Sequence, residues 1–440
     1  MAVTVQFHKG LKEIGGTFVE VETARAKCMF DFGFARGDML DYKIRPRKGF
    51  AASDYAALGI LPVTDGIYDA RNADVLRVLP YGEPTVSKEC FLLISHMHID
   101  HMGGLTFLHP DVPVYMTKDS LKLYKRISEN GKEEGAMHKN CIGVEPGIPF
   151  TVGDITVTAL SVDHDVPGAC GFLIRSEGKT ICYTGDFRFH GFHKELSRDF
   201  ARKVSQAGVD MMICEGTSVS HEPVNMLKLT APEEGKRTEQ DLQKEVRAYA
   251  KKAEGLIVIN CYPRNVERLH QLVETLKKCG RKLVLVEVAA DYLNAFYPKD
   301  PICVYEDTML RADRPKKWRR VSRQELLFDP SQYVLQLPYR NMYELVALRG
   351  GVSAYLHFDG APLGAYDPSF RRMEMMLEEL GIAYEHMGVS GHAEPYYIKY
   401  MIDTIAPKIL VPLHSFKPEQ VKSDAAERRI LPAEGEVVKL

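Results

Sequence analysis

Three histidines and an aspartate crowd into Ser95-His96-Met97-His98-Ile99-Asp100-His101, directly after the apolar run Cys90-Phe91-Leu92-Leu93-Ile94. A strand that ends in such a cluster presents imidazoles and a carboxylate together at the edge of a sheet. Borderline cations such as zinc prefer that mixture of donors. A chain built around this segment must bring further donors to it, and candidates follow in order. His164 lies just past the strand-like Ile155–Val162, Asp186 follows Tyr183-Thr184-Gly185, and His414 follows Val411-Pro412-Leu413. Each is a metal-competent side chain where an apolar strand gives way to a loop.

The rest of the chain is ordinary in bulk. With 26% charged residues and a net charge of −2, any binding of a polyanion rests on a local patch or on bound metal. No run approaches the roughly 18–20 apolar residues of a membrane span. The opening Met1-Ala2-Val3-Thr4-Val5-Gln6-Phe7 lacks the charged-then-apolar layout of a signal peptide. Nine cysteines are scattered without a CxxC pair, which points to a reducing, cytoplasmic setting.

Short apolar strands alternate with amphipathic helices. Strands are expected at Ile155–Val162, Lys179–Thr184, Asp210–Cys214, Gly255–Cys261, Lys282–Val288, Gly351–His357 and Lys408–Leu413. Helices are expected at Asn265–Cys279 and Ser369–Leu380, each followed by a glycine that can end it. Ser218–Thr238 reads as a linker. The Gly-, Pro- and charge-rich Ala35–Lys88 reads as irregular and as part of a substrate entrance.

Taken together, the motifs resemble the metallo-beta-lactamase superfamily. His96, His98, Asp100 and His101 match its HxHxDH signature, followed by the single histidine His164, the Thr-Gly-Asp aspartate Asp186 and the last histidine His414. The resemblance implies that His96, His98 and His164 hold one metal, that Asp100, His101 and His414 hold a second, and that Asp186 bridges them. It also implies that Asp31 orients the ligand loop from behind. The expected cofactors are two Zn2+ per chain, with Mn2+ also accepted by such a site. A metal pair of this kind activates water as hydroxide and stabilises developing anionic charge, which suits phosphodiesters, lactams, lactones and thioesters alike.

A domain-sized stretch separates Asp186 from His414, and its contents resemble the beta-CASP cap of nucleic-acid-processing members. The expected fold is an α/β metallo-beta-lactamase αββα sandwich with an inserted α/β beta-CASP cap: residues 1–217 and 389–440 form the sandwich, and residues 218–388 form the cap. Ile213-Cys214-Glu215-Gly216-Thr217 matches the acidic motif through Glu215. Val389-Ser390-Gly391-His392-Ala393 matches the second motif through His392, in a form similar to ribonuclease J. A histidine held by a carboxylate stays protonated near neutrality and can donate to a leaving oxygen, so His392 supported by Glu215 is the expected general acid, beside Asp100. A histidine at the position of His414 goes with RNA-cleaving members. The implied substrate is single-stranded RNA, and the implied enzyme is a metal-dependent hydrolase of ribonuclease J type.

Two cap positions depart from the ribonuclease J pattern. Arg264 stands where serine is usual, before Asn265, and His357 lies where a Ser-Gln-Gly-Glu-like segment is expected. The chain ends at Leu440, shortly after the last expected ligand and without that family's C-terminal domain, and these departures together leave 5′-end sensing, processivity and tetramer assembly open. Arg264, Asn265, His357 and Ser390 are the expected substrate contacts, with capping of a helix an equal role for Asn265. Around the only tryptophan, Arg314-Pro315-Lys316-Lys317-Trp318-Arg319-Arg320 offers either an RNA-binding patch or a solvated face over a packed ring. The alternative function is hydrolysis of a small anionic substrate, a nucleotide or an ester, under the altered cap. A binding-only subunit fits poorly, because every metal ligand is retained. A homodimer is an option the sequence leaves open.

Overall fold

The computed structural model describes residues 2–35, 46–47, 51–64, 67–68, 89–131, 137–220, 222–308, 317–364 and 367–440. Strands β1 (Thr4–Lys9), β2 (Phe18–Glu22), β3 (Ala26–Phe30), β4 (Glu89–Leu93), β5 (Val114–Thr117) and β6 (Cys141–Val144) form a first sheet in chain order. A second sheet is begun by β7 (Phe150–Val152), β8 (Ile155–Ser161), β9 (Cys170–Ser176), β10 (Lys179–Tyr183) and β11 (Met211–Glu215). The chain then leaves both sheets. It builds a third from β12 (Leu256–Cys261), β13 (Lys282–Leu285), β14 (Cys303–Tyr305), β15 (Arg319–Val321), β16 (Tyr333–Gln336), β17 (Val352–Phe358) and β18 (Tyr384–His386). On its return, β19 (Ile409–Leu413) pairs with β11, β20 (Arg428–Arg429) with β19, and β21 (Val437–Lys439) with β1.

Side-chain alternation explains why the first two sheets face each other. On β4, Phe91 and Leu93 enter a core shared with Phe30, Phe172, Ile174, Ile181, Ile213 and Val411. Leu92, between them, points the other way. Each such side chain contributes about 1.5–3 kcal/mol by leaving water. Helix Lys118–Asn130 buries Leu123, Tyr124 and Ile127 in the cluster behind the first sheet. Helices Lys194–Ser205 and Pro395–Ile405 bury Phe200, Val204, Ile398 and Met401 behind the second. The result is the expected αββα sandwich.

The third sheet runs in the order β15-β14-β13-β16-β12-β17-β18, and every neighbouring pair is parallel. Parallel neighbours need crossovers, and the helices Val266–Lys277, Glu287–Phe296 and Pro368–Glu379 are three of them. One expected strand is too long. Lys282–Val288 stops at Leu285, and Val286 opens a helix whose Ala289, Ala290 and Leu293 are buried, so its apolar residues continue at helical spacing. Ser218–Thr238 holds only two 3-10 turns among its described residues. Trp318 is buried, which removes its ring from base stacking; Arg314, Pro315 and Lys316 lie outside the described residues, as does most of 35–88. All nine cysteines are unpaired. Among the described residues no helix is long and apolar enough to cross a membrane.

Candidate metal centre

β4 delivers Ser95 and His96 to the rim of the sandwich, and a short helix, Ile99–Met102, carries Asp100 and His101. The loop after β3 lies hard against that helix. A Cβ at Gly33 would come within 1.8 Å of the Asp100 carbonyl, so only glycine permits the approach. Asp31 and His414, both just past strand ends, hold left-handed backbone at φ 54° and 52°. Such strain in non-glycine residues persists only where the surroundings enforce it.

The surroundings here are hydrogen bonds to the outer nitrogens of the rings. The Asp31 carboxylate accepts from the Ser95 N–H (2.7 Å), the Ser95 hydroxyl (2.8 Å) and the Tyr183 hydroxyl, and meets His101 Nδ1 at 2.8 Å. Ser95 Oγ also lies 3.0 Å from His96 Nδ1. His164 Nδ1 donates to the Gly391 carbonyl at 2.6 Å, and His414 Nδ1 lies 2.8 Å from Thr217 Oγ1. The outer nitrogen of His98 is Nε2, 3.2 Å from Asp165. Each ring is thus held from behind, with its other nitrogen turned inward.

The inward atoms form two adjoining groups. In one, His98 Nδ1 is 3.1 Å from His96 Nε2 and 3.3 Å from His164 Nε2, with Asp186 Oδ2 3.7 Å from His96 Nε2. In the other, His101 Nε2 is 3.1 Å from His414 Nε2, which is 3.2 Å from Asp100 Oδ2. Asp186 Oδ2 lies between the groups, 3.2 Å from His101 Nε2 and 3.7 Å from His414 Nε2. A neutral imidazole has one N–H, already committed outward, so these facing nitrogens are lone pairs converging on shared points. That donor set fits a divalent cation in each group. Burial pushes His96 and His164 below the ordinary imidazole range, His164 to about 4, which keeps both neutral and able to ligate. Asp186 is itself buried between the two groups.

A second arrangement abuts the first. His392 Nδ1 lies 3.1 and 3.3 Å from the two oxygens of Glu215, whose carboxylate also accepts from the N–H groups of Phe187 and Thr217. Burial opposes the charge on His392, but Glu215 and Asp186 outweigh it and raise the ring to about 9. Ser390 is exposed, and its hydroxyl accepts from the His392 N–H.

The cap residues named from sequence divide. Arg264 is buried and donates to the carbonyl of Met97, inside the ligand loop itself. Asn265 caps its helix, accepting from the Arg268 N–H at 3.1 Å. His357 is fully buried beside His386 and Phe370, in a different cluster from the histidine centre. Sequence reasoning passed over Thr217, which lies against His414, Asp165, 3.2 Å from His98, and Tyr183, which donates to Asp31. Asp165 stood next to His164, and that adjacency was the one available signal.

The family model described as "Beta-lactamase superfamily domain" matches residues 63–249. Over that stretch the chain resembles the metallo-beta-lactamase superfamily, and over most of its length it resembles ribonuclease J. It is 22% identical over 438 residues to ribonuclease J of Helicobacter pylori strain J99, covering 92% of this chain and 54% of that relative. Ribonuclease J of Thermus thermophilus is 22% identical over 349 residues, covering 73% of this chain and 57% of the relative. The chain therefore spans little more than half the length of these relatives. A crystal structure of a protein of unknown function from Enterococcus faecalis V583 superposes with a TM-score of 0.83 at 28% identity, covering all of both chains. The superfamily implies a divalent metal, and the two His/Asp groups are able to bind one.

Proposed function

We propose that this chain is a metal-dependent ribonuclease acting on single-stranded RNA in the cytoplasm. The observation that carries the reading is the juxtaposition of two convergent donor groups with a carboxylate-held, protonated histidine at their edge. His96, His98 and His164 would hold one Zn2+, Asp100, His101 and His414 a second, and Asp186 would serve both. Bound there, the cations supply Lewis acidity and a nucleophilic water near neutral pH. The protein's own groups do the rest. Glu215 fixes His392 Nδ1–H, which leaves Nε2–H to protonate the oxygen that departs when the phosphodiester breaks.

Residues 218–388 are taken as a cap of beta-CASP type between sandwich parts 1–217 and 389–440, a division supported by the third sheet lying wholly between β11 and β19. The ribonuclease J relatives support RNA as the substrate. Incubation of a 5′-monophosphorylated single-stranded RNA with zinc or manganese, beside Asp100→Ala and a matched DNA oligomer, tests the proposal. Metal-dependent RNA cleavage that the variant abolishes is expected. An inactive protein with both groups loaded would shift the assignment to a small anionic substrate.

A further inference from the structure

A second constellation of ligating side chains lies at the carboxyl end of the third sheet, where open α/β sheets gather their ligands. His357 and His386 are register partners on the parallel strands β17 and β18, and Asp359 follows β17 directly. One ligand atom from each of the three lies within 4.8 Å of the others. We propose that His357, Asp359 and His386 form a separate site for a divalent first-row transition cation.

Two orphaned atoms carry the argument. His357 Nε2 donates to the Pro362 carbonyl at 3.0 Å, which fixes the tautomer and leaves the Nδ1 lone pair; Nδ1 is buried and has no hydrogen-bond partner. Asp359 engages His386 Nε2 through Oδ1 at 2.9 Å, while its Oδ2 is buried and also unpartnered. A lone pair and a carboxylate oxygen, each buried and unpartnered within one cluster, are costly unless something binds them. The backbone is shaped to keep them there. Asp359 occupies left-handed space at φ 54°, and a Cβ on Gly388 would strike its carboxylate at 2.0 Å.

The ring of His357 is held from behind by a carbonyl, as metal-bound imidazoles are. His386, about half exposed, leaves one side open to solvent for a cation to arrive and for a water to complete the coordination. Two imidazoles and a carboxylate suit zinc or cobalt(II) rather than calcium or magnesium. A cation held there would clamp the edge strand β18 and the turn after β17 to one another.

The test is zinc content, measured by mass spectrometry on the full chain after loading with zinc chloride and removal of the excess. His386→Ala and Asp359→Asn are compared with the parent, with circular dichroism to verify folding. Each variant is expected to lose one equivalent of zinc relative to the parent, whatever number the other centre holds. Equal zinc content in the parent and in a folded His386→Ala protein overturns the proposal. Should Asp359→Asn fail to fold, His386→Ala alone decides, because its half-exposed ring is the substitution the fold tolerates best.

Discussion

The guanidinium of Arg268 meets both oxygens of Glu239, Nη2 to Oε1 at 2.8 Å and Nε to Oε2 at 3.0 Å, with 1% and 0% of the two side chains exposed. Arg188, just past β10, reaches the same Oε1 at 2.9 Å. The remaining donors of Arg268 go to the carbonyls of Phe358 and Val389, and Arg188 donates to that of Ser390. One buried carboxylate thus ties the sandwich, the helix after β12 and the segment leading to His392. Removing one partner of a buried ion pair costs about 3–5 kcal/mol, because the other charge is stranded. Glu239→Ala, which strands Arg268 and leaves Arg188 with Asp163 alone, is expected to lose about that much in a urea titration. A midpoint within experimental error of the parent would contradict the bridging role.

His392→Ala removes the proposed proton donor and leaves the seven proposed metal ligands in place. Turnover is expected to fall by roughly 10²–10⁴, with metal content unchanged by mass spectrometry. Retention of activity within a few-fold would mean that another group protonates the leaving oxygen.

The pH profile carries the signature of Glu215. Against the effect of burial, Glu215 and Asp186 raise the His392 ring from an ordinary 6.5 to about 9. Its acid form is therefore present below that value, and activity declines as pH rises through it. Burial alone pulls the ring the other way, so Glu215→Gln should move the alkaline limb to lower pH. Bound cations lower both limbs, and the difference between the two enzymes is the quantity to measure. Coincident limbs would show that Glu215 does not set the proton affinity of His392.

Asp31 touches no inward-facing ligand atom but holds His101 and Ser95 from behind. Asp31→Asn keeps its size and discards the charge that fixes His101 Nδ1–H. A loss of about 10–100-fold in metal affinity is expected, as for other outer partners of ligating histidines. Competition with a chromogenic chelator reads this directly, and an unchanged affinity would assign Asp31 to folding alone.

Much of the centre was legible in the sequence because its donors sit at strand ends, and strand ends are readable from apolar runs. His96, Asp186 and His414 are such cases. The outer hydrogen bonds were not legible. Tyr183 looked like any aromatic at the end of a strand, and Thr217 acquires meaning only when β19 is set beside β11 and places His414 against it. Arg264 illustrates a contact the sequence could not show. A cation near a cleft invites a phosphate, yet it bonds the backbone of the ligand loop, and only the packing of the third sheet against that loop could reveal it. Lys282–Val288 failed for a local reason, since a short apolar run satisfies strand and helix patterns equally.

The parallel pairing of β11 with β19, register Glu215 to Leu413, has a consequence for how the protein comes into being. During synthesis the strands up to β11 can begin to collapse early, since domains fold from the amino terminus onward. The strand that supplies His414 emerges only after the whole third sheet has been made. Until then β11 is a bare edge and Glu215 has neither His392 nor the final ligand beside it. The site as described here, with His392, Glu215 and His414 in contact, therefore comes into being only at the last stage of the chain's own assembly.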